Sequence, residues 1–354
     1  MADHSSARVS VVIPARNEEA NIARAVRSVA GQQGVREIIA VDDASTDRTG
    51  EILEELKQEV PLLRVLRVDS LPEGWTGKSH AAATGARAGT GDWLLFADAD
   101  TEHKPGSLPA LLERAEAQRA DLLSISPGQV TETWWEKSVI PLVYVHLAKL
   151  YRFEDVSDPG SPAAAANGQY LLIRREVYER IGGHEAVRGE ILEDVELARR
   201  AKALGGRLLF LPGAEWVQTR MYRTFSALWQ GWSKNLYLLY GRSVTRILGT
   251  LVEVVLGDLI LPLLFLATCA AFALGYGAGW AAALALGLFV LTLARQGNYS
   301  TALSRIGFDS RLASYLFPGA ALFSLLLVNS VLAYRMGRGV QWKGRSYPAR
   351  EGGK

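Results

Sequence analysis

Cysteine is almost missing from the 354 residues. The one present, Cys269, lies inside an apolar run, so the chain can make no internal disulfide and no multi-cysteine metal site. Any bound metal must therefore sit on oxygen. An excess of charge of one sign is missing too: the formal net charge is +2, and no run of five or six basic residues precedes the C-terminal tail, which excludes nucleic acid as a partner. Met1 to Arg8 is short and polar and lacks the apolar stretch of a secretory signal, so the first globular domain is expected to stay in the cytoplasm. One long stretch of the C-terminal third is nearly without charge of either sign. From Ile247 to Ala294 the only charged side chains are Glu253 and Asp258, which points to membrane insertion.

What is present in the first two thirds is alternation. Val9 to Ile13 is a β-branched run closed by Pro14, and it reads as a buried strand. Asn17 is the expected N-cap of the helix that follows, with Glu18 and Glu19 in its first turn and Ile22, Ala25, Val26 and Val29 on its apolar face. The pattern repeats: strand Glu37 to Val41, helix Thr49 to Gln58, strand Leu63 to Val68, small-residue helix Ser79 to Ala88 and strand Asp92 to Ala97. A helix at Leu108 to Ala120, a strand at Leu122 to Ser126, a loop at Asp158 to Gly168, a strand at Gln169 to Arg174 and a helix at Leu192 to Leu204 follow. Strands alternating with helices predict an α/β fold with a mostly parallel sheet, whose ligands bind beyond the carboxyl ends of the strands.

Trp134 to Tyr151 reads as a helix, either on a bilayer surface or in a core. Leu259 to Ala294, broken at Gly275 to Gly279, predicts a helical hairpin, and Leu312 to Tyr334 a third apolar helix. Three crossings create a conflict of sidedness. The loop Arg295 to Arg311 and the tail from Arg335 are both basic, yet one span separates them. Ile247 to Leu256 as an interfacial helix, or Leu312 to Tyr334 as a re-entrant one, would relieve it. The expected division is residues 1–240 as the α/β domain, 241–336 as a membrane domain and 337–354 as a basic tail.

Strand ends carry the chemistry. Phe96-Ala97-Asp98-Ala99-Asp100 places two carboxylates where the chain leaves the sheet and alternation no longer separates them, so both can converge on a hard cation such as Mg²⁺ or Mn²⁺. Alone, such a pair is as well explained as a turn or helix cap. Asp42 and Asp43 end the second strand and suit hydrogen bonds from a base or a ribose, and Pro14, Ala15, Asn17 and Glu18 would form the adjacent wall. Lys78, opening the small-residue helix, can pair with a diphosphate as a point charge. Glu193 and Asp194 open another helix; dipole and capping arguments suffice for them, but Asp194 also suits a general base acting on an acceptor hydroxyl. Gln230, Trp232 and Lys234 precede the apolar region and are candidates for the acceptor side, although tryptophan there also serves as an interfacial anchor. His184, in a glycine turn, reads as structural.

In order, the Pro-Ala-x-Asn-Glu start, Val-Asp-Asp-x-Ser-x-Asp, Asp-Ala-Asp, Gly-Gly-x-Glu and Glu-Asp-x-Glu-Leu-x-x-Arg resemble the inverting family 2 glycosyltransferases of the Rossmann-like GT-A fold, from about Val9 to Asn235. The resemblance implies that Asp42 and Asp43 hold the nucleotide of a nucleotide diphosphate sugar, that Asp98 and Asp100 hold a metal on its diphosphate, and that Glu193 and Asp194 supply the base. Trp-x-Gly-Lys, Gly-Trp-Ser-Lys-Asn and the C-terminal helices are most similar to membrane-bound bacterial carotenoid- and hopanoid-associated members. That implies a lipid-like acceptor and a multi-pass protein of the inner membrane with its catalytic domain on the cytoplasmic side. Polyprenyl-phosphate or polysaccharide transfer is the alternative within the class, and a silent nucleotide-sugar-binding membrane protein the alternative outside it. The Gln-x-x-Arg-Trp pattern of processive synthases is not matched, since Gln230 leads instead to Lys234 and Asn235.

Overall fold

The computed structural model describes residues 8–276, 278–336 and 340–347. The chain forms two compact units, residues 1–130 with 151–221, and residues 131–150 with 222–354.

The first unit is built on a sheet. It opens with β1 (Val9–Ala15), α1 (Ile22–Ala30), β2 (Val35–Asp43), α2 (Thr49–Glu59), β3 (Leu63–Val68), α3 (Gly77–Ala88) and β4 (Trp93–Phe96). Next come β5 (Thr101–His103), α4 (Ser107–Ala117) and β6 (Leu122–Gln129). The chain then leaves for α5 (Trp134–Leu150) in the second unit and returns through α6 (Phe153–Ser157), β7 (Leu171–Arg174), α7 (Arg175–Arg180), α8 (Glu193–Ala203) and β8 (Leu208–Thr219). Strand order is β3-β2-β1-β4-β7-β6-β8-β5. The β1 pairs with β2 and β4 are parallel, as is β2 with β3, whereas β7 runs antiparallel to both β4 and β6. The sheet is thus mixed, with the expected parallel half at its N-terminal end.

Val9, Val11, Val12 and Ile13 are all fully buried, as a central strand covered on both faces requires. Ile22, Ala25, Val26 and Val29 bury one face of α1 against the same core. Its N-cap position is Asn21, not Asn17. Asn17 has φ +53° and spends its Oδ1 on the backbone N–H of Thr46, which stitches the loop after β1 to the loop after β2. Glu18 carries out the capping work instead: its carbonyl accepts from the backbone N–H groups of Asn21 and Ile22, and its carboxylate from the Asn21 side chain.

In the second unit, α5 is joined by α9 (Phe225–Leu239), α10 (Val244–Val254), a π-helical turn at Val255–Ile260, α11 (Leu261–Ala273), α12 (Ala278–Arg305), a 3₁₀ turn at Ser310–Tyr315 and α13 (Leu316–Arg335). A small hairpin of β9 (Val340–Trp342) and β10 (Arg345–Tyr347) follows. Among the described residues, three continuous helical stretches are long and apolar enough to cross a membrane: Val244–Ala273, Gly279–Arg305 and Ser310–Arg335.

Candidate active site

Four charged side chains named from the sequence meet in one cleft of the first unit. Pro14, Lys78, Asp98, Glu193 and Asp194 line it, together with Phe96, Gly168, Leu171 and His184. Asp98 arrives from the end of β4. Lys78 is the second residue of α3, whose start is fixed by Thr76 Oγ1 accepting from the Ser79 backbone N–H. Glu193 and Asp194 are the first two residues of α8, where unpaired N–H groups and the helix dipole favour acids.

Lys78 Nζ bridges the acids, 2.8 Å from Asp98 Oδ1 and 3.0 Å from Glu193 Oε1. Burial opposes the Lys78 charge, but Asp98, Glu193 and Asp194 more than offset it and hold its pKa well above the ordinary value. Asp194 moves the other way. Burial, then the negative Glu193, push its carboxyl up to about 6, against Lys78 and the backbone N–H groups of Val195 and Gly168. Those two donors fix its orientation, Val195 N–H to Oδ1 at 2.8 Å and Gly168 N–H to Oδ2 at 2.6 Å. The carboxyl is thereby aimed, and it can take up a proton near neutral pH.

In the sequence Gly168 is merely the end of a loop, and nothing there announces its place in the site. A Cβ there would stand 2.6 Å from Lys78 Nζ, 3.3 Å from Asp194 Oδ2 and 3.6 Å from Glu193 Oε1, so only glycine lets the backbone approach the charge cluster. Asn167 pins the same loop to β6 by donating its backbone N–H to Ser124 Oγ. The sole local signal is an Asn-Gly pair directly before a strand. His184 behaves as expected of a structural residue: it packs on Phe96 with ring centroids 4.6 Å apart, and its Nδ1 is 2.9 Å from Tyr178 Oη. Burial first, then Lys78, press its pKa down to about 3, so the ring is neutral.

The other predicted residues lie elsewhere. Asp42 and Asp43 end β2, directly across from Ala15 at the end of β1, and both are buried. Asp42 Oδ1 accepts from the Ser45 backbone N–H, and Arg16 ties the two loops by donating to the carbonyls of Asp43 and Ala44. With Asn17 and Glu18 they form a stitched rim at the carboxyl edge of the sheet, and none of them lines the cleft. Asp100 sits in the turn between β4 and β5, two residues beyond Asp98. Gln230, Trp232 and Lys234 are on α9 in the second unit; Trp232 is buried there, and Gln230 Nε2 donates to Ser226 Oγ.

Among the described residues, no three His, Cys, Asp or Glu side chains converge as a set able to hold a metal. Asp98 and Asp100 offer hard oxygen donors in the number with which Mg²⁺ or Mn²⁺ is commonly held when the remaining ligands are substrate phosphates and water. The donor set fits an ion that arrives with a diphosphate, and does not fit a site closed by protein alone.

Known proteins bear on this geometry. Residues 10–182 match the family model described as glycosyl transferase family 2. The 4,4'-diaponeurosporenoate glycosyltransferases of Staphylococcus aureus strains MRSA252 and USA300 are each 28% identical over 254 residues, which is 71% of this chain and 66% of theirs. The match thus spans slightly under two thirds of those relatives. Among solved structures, the Pyrobaculum calidifontis mannosyltransferase in complex with GDP-Man and Mn²⁺ is similar with a TM-score of 0.51 at 22% identity, covering 90% of this chain and 87% of that one. The expected architecture and the matched motifs agree: the chain carries a glycosyl transferase family 2 domain of the GT-A fold.

Proposed function

We propose that the protein transfers a sugar from a nucleotide diphosphate sugar to a lipid-like acceptor at a membrane, with inversion at the anomeric carbon. The observation that carries this reading is Asp194: a carboxyl aimed by two backbone donors, with its pKa raised to about 6, beside a lysine and two further acids in one cleft. In this reading Asp194 takes the proton of the acceptor hydroxyl as that oxygen attacks, and Glu193 keeps Asp194 basic enough for the task. Lys78 exchanges its carboxylate partners for the diphosphate of the donor and balances the charge that grows on the departing nucleoside diphosphate. Asp98 and Asp100 would hold Mg²⁺ or Mn²⁺, which supplies further neutralisation of that diphosphate. Asp42, Asp43 and the rim of Pro14, Ala15, Asn17 and Glu18 would hold the nucleotide.

The Staphylococcus aureus relatives, named for a carotenoid acid, support an apolar acceptor, and the Pyrobaculum calidifontis neighbour, bound to GDP-Man and Mn²⁺, supports a nucleotide sugar and a divalent ion. The apolar helices support residence in a membrane, and the proposal places the protein in the cell membrane, multi-pass and with the catalytic unit on the cytoplasmic side. Gln230, Trp232 and Lys234 are proposed for the acceptor side. The test is to incubate membranes bearing the protein with a panel of radiolabelled nucleotide sugars and divalent metal, then extract lipid. Label in the organic phase with release of nucleoside diphosphate is expected. Pyrophosphate release would replace the reading by nucleotidyl transfer, and donor binding without turnover on any membrane lipid would replace it by a silent binder.

A further inference from the structure

Three candidate spans leave the basic loop before α13 and the basic segment after it on opposite sides of the membrane, against the usual bias of short basic loops to one side. The packing of α13 removes the conflict. Its first half lies on α5. The Lys137 ammonium stands 6.0 Å from the ring centre of Tyr315 just before α13, the Gly319 position is so close to the Ser138 carbonyl that a Cβ would collide with it, and the rings of Phe323 and His146 are 5.2 Å apart. Its second half lies on α9. Ser330 Oγ accepts from the Tyr237 backbone N–H at 2.9 Å and donates to the Ser233 carbonyl at 2.7 Å, bridging the two groups that pair in a regular helix. Asn329 donates to Ser233 Oγ, Tyr334 Oη donates to the Lys234 carbonyl, and β9 packs beside α9 just beyond.

A helix of 20 residues is about 30 Å long, the full thickness of the hydrocarbon core. Were α13 to cross, α5 and α9 would be carried to the same depths. Neither can go there. The α5 helix bears Glu136, Lys137, His146 and Lys149, α9 bears Gln230, Lys234 and Asn235, and ionised groups are strongly disfavoured at the bilayer centre. A second level marker agrees: Lys149 of α5 pairs with Glu253 at 2.8 Å, and Arg295 pairs with both Glu253 and Asp258, so the base of the α11 and α12 hairpin is a polar cluster level with α5. Beyond that cluster Leu259 to Ala273 and Gly279 to Ala294 carry no charge, and their leucines and phenylalanines are largely exposed.

We propose that α13 lies in the membrane interface and does not cross it, so that its two ends share one face of the bilayer and the α11 and α12 hairpin is the inserted element. The exposed stripe Phe317, Leu325, Val328 and Leu332 would meet the acyl boundary while the opposite face keeps its contacts with α5 and α9. The inference rests on membrane residence and is independent of sugar transfer.

The experiment uses the full chain with Cys269→Ser and single cysteines introduced at Ser304→Cys or Met336→Cys, both exposed positions that flank α13. A membrane-impermeant maleimide is applied to sealed right-side-out and inverted vesicles. Both positions should label in the same orientation and both should lose labelling in the other. Labelling of the two in opposite orientations overturns the proposal. Should either variant fail to accumulate, trypsin on vesicles of the unsubstituted protein reads the same question: cleavage after Arg305 or Arg311 and after Lys343 or Arg345 in one orientation supports it, and cleavage in opposite orientations overturns it. Because neither readout involves turnover, failure here is distinct from failure of the transferase reading.

Discussion

If Asp194 is a base set by its neighbours, two substitutions beside it should move the acidic limb of the rate profile in opposite directions. A Cβ on Gly168 would touch Lys78 Nζ at 2.6 Å and Asp194 Oδ2 at 3.3 Å, so those two atoms are at most about 6 Å apart. At an effective dielectric constant of ~20 that separation is worth ~2.8 kcal/mol, or about two pKa units. Lys78 is 40% exposed, and solvent screening reduces the effect to about one unit. Glu193 is by the same construction within about 7 Å of Asp194 and is buried, so its charge raises the Asp194 pKa by between about one and two units. On that reading activity should depend on deprotonated Asp194 and fall as pH drops through about 6. Lys78→Met, which removes a lowering influence, should shift that limb upward by about one unit, and Glu193→Gln should shift it downward by one or somewhat more. The assay is kcat/KM for radiolabelled donor against pH, from about pH 4 to pH 9. Both variants will be slower, Lys78→Met more so because it also loses donor affinity, but the limb is read from the shape of the profile and not from its height. Shifts in the same direction, or an unmoved limb in both, would refute the assignment of Asp194. Asp194→Asn should remove the limb altogether with donor binding nearly intact.

Gly168→Ala should lower kcat by about 10- to 100-fold with little change in melting temperature, since the atoms nearest the added methyl belong to the charged side chains of Lys78, Asp194 and Glu193 and the methyl displaces Lys78 from the acids; circular dichroism and turnover together check this. Chelation should abolish transfer and donor binding yet leave the melting temperature of the donor-free protein unchanged, because Lys78 already balances Asp98 and Glu193; a large drop on adding chelator would contradict the proposed metal site. At the opposite edge of the sheet, burial would raise the Glu37 pKa, but hydrogen bonds from Thr90, Arg64 and Ser10 bring it down to about 2. Its stabilisation, about 3 kcal/mol, is present above the unfolded value near 4.5 and is lost as pH falls toward 2, so Glu37→Gln should flatten the acid side of a stability curve and lower stability at pH 7. Arg295→Leu leaves Asp258, almost fully buried, without its cation and should destabilise by about 3–5 kcal/mol, whereas Arg295→Leu with Asp258→Leu should recover most of the loss; an additive double variant would show that the pair is not coupled.

The parts of the site that could be read from sequence share one property: their meaning is local. Lys78 opens a helix, Asp98 closes an apolar strand, and Glu193 with Asp194 begin a charged helix, so each could be placed at the carboxyl edge of a sheet before any contact was known. Asn17 failed as a cap because two acids after it imitate a helix start, while its actual duty depends on Thr46 from another loop. Gly168 stayed invisible because what it accommodates comes from α3 and α8. Strand β8, which lies between β6 and β5, is not legible in the sequence: Pro212 and Gly213 interrupt its apolar pattern, and its pairing with β6 changes register near Gly128. Nor could the three apolar residues and one arginine of β7 announce that they run antiparallel, because strand direction is set by the connection and not by the side chains.

The route of the chain itself has a practical consequence. Because α5 is an excursion from the α/β unit, leaving after Val130 and rejoining at Tyr151, no single cut separates a water-soluble catalytic fragment from its greasy companion. A fragment ending at Met221 would still carry Val139, Ile140, Leu142 and Val143, now stripped of the helices that shield them, and its reluctance to stay in solution would say nothing about whether the sheet had folded.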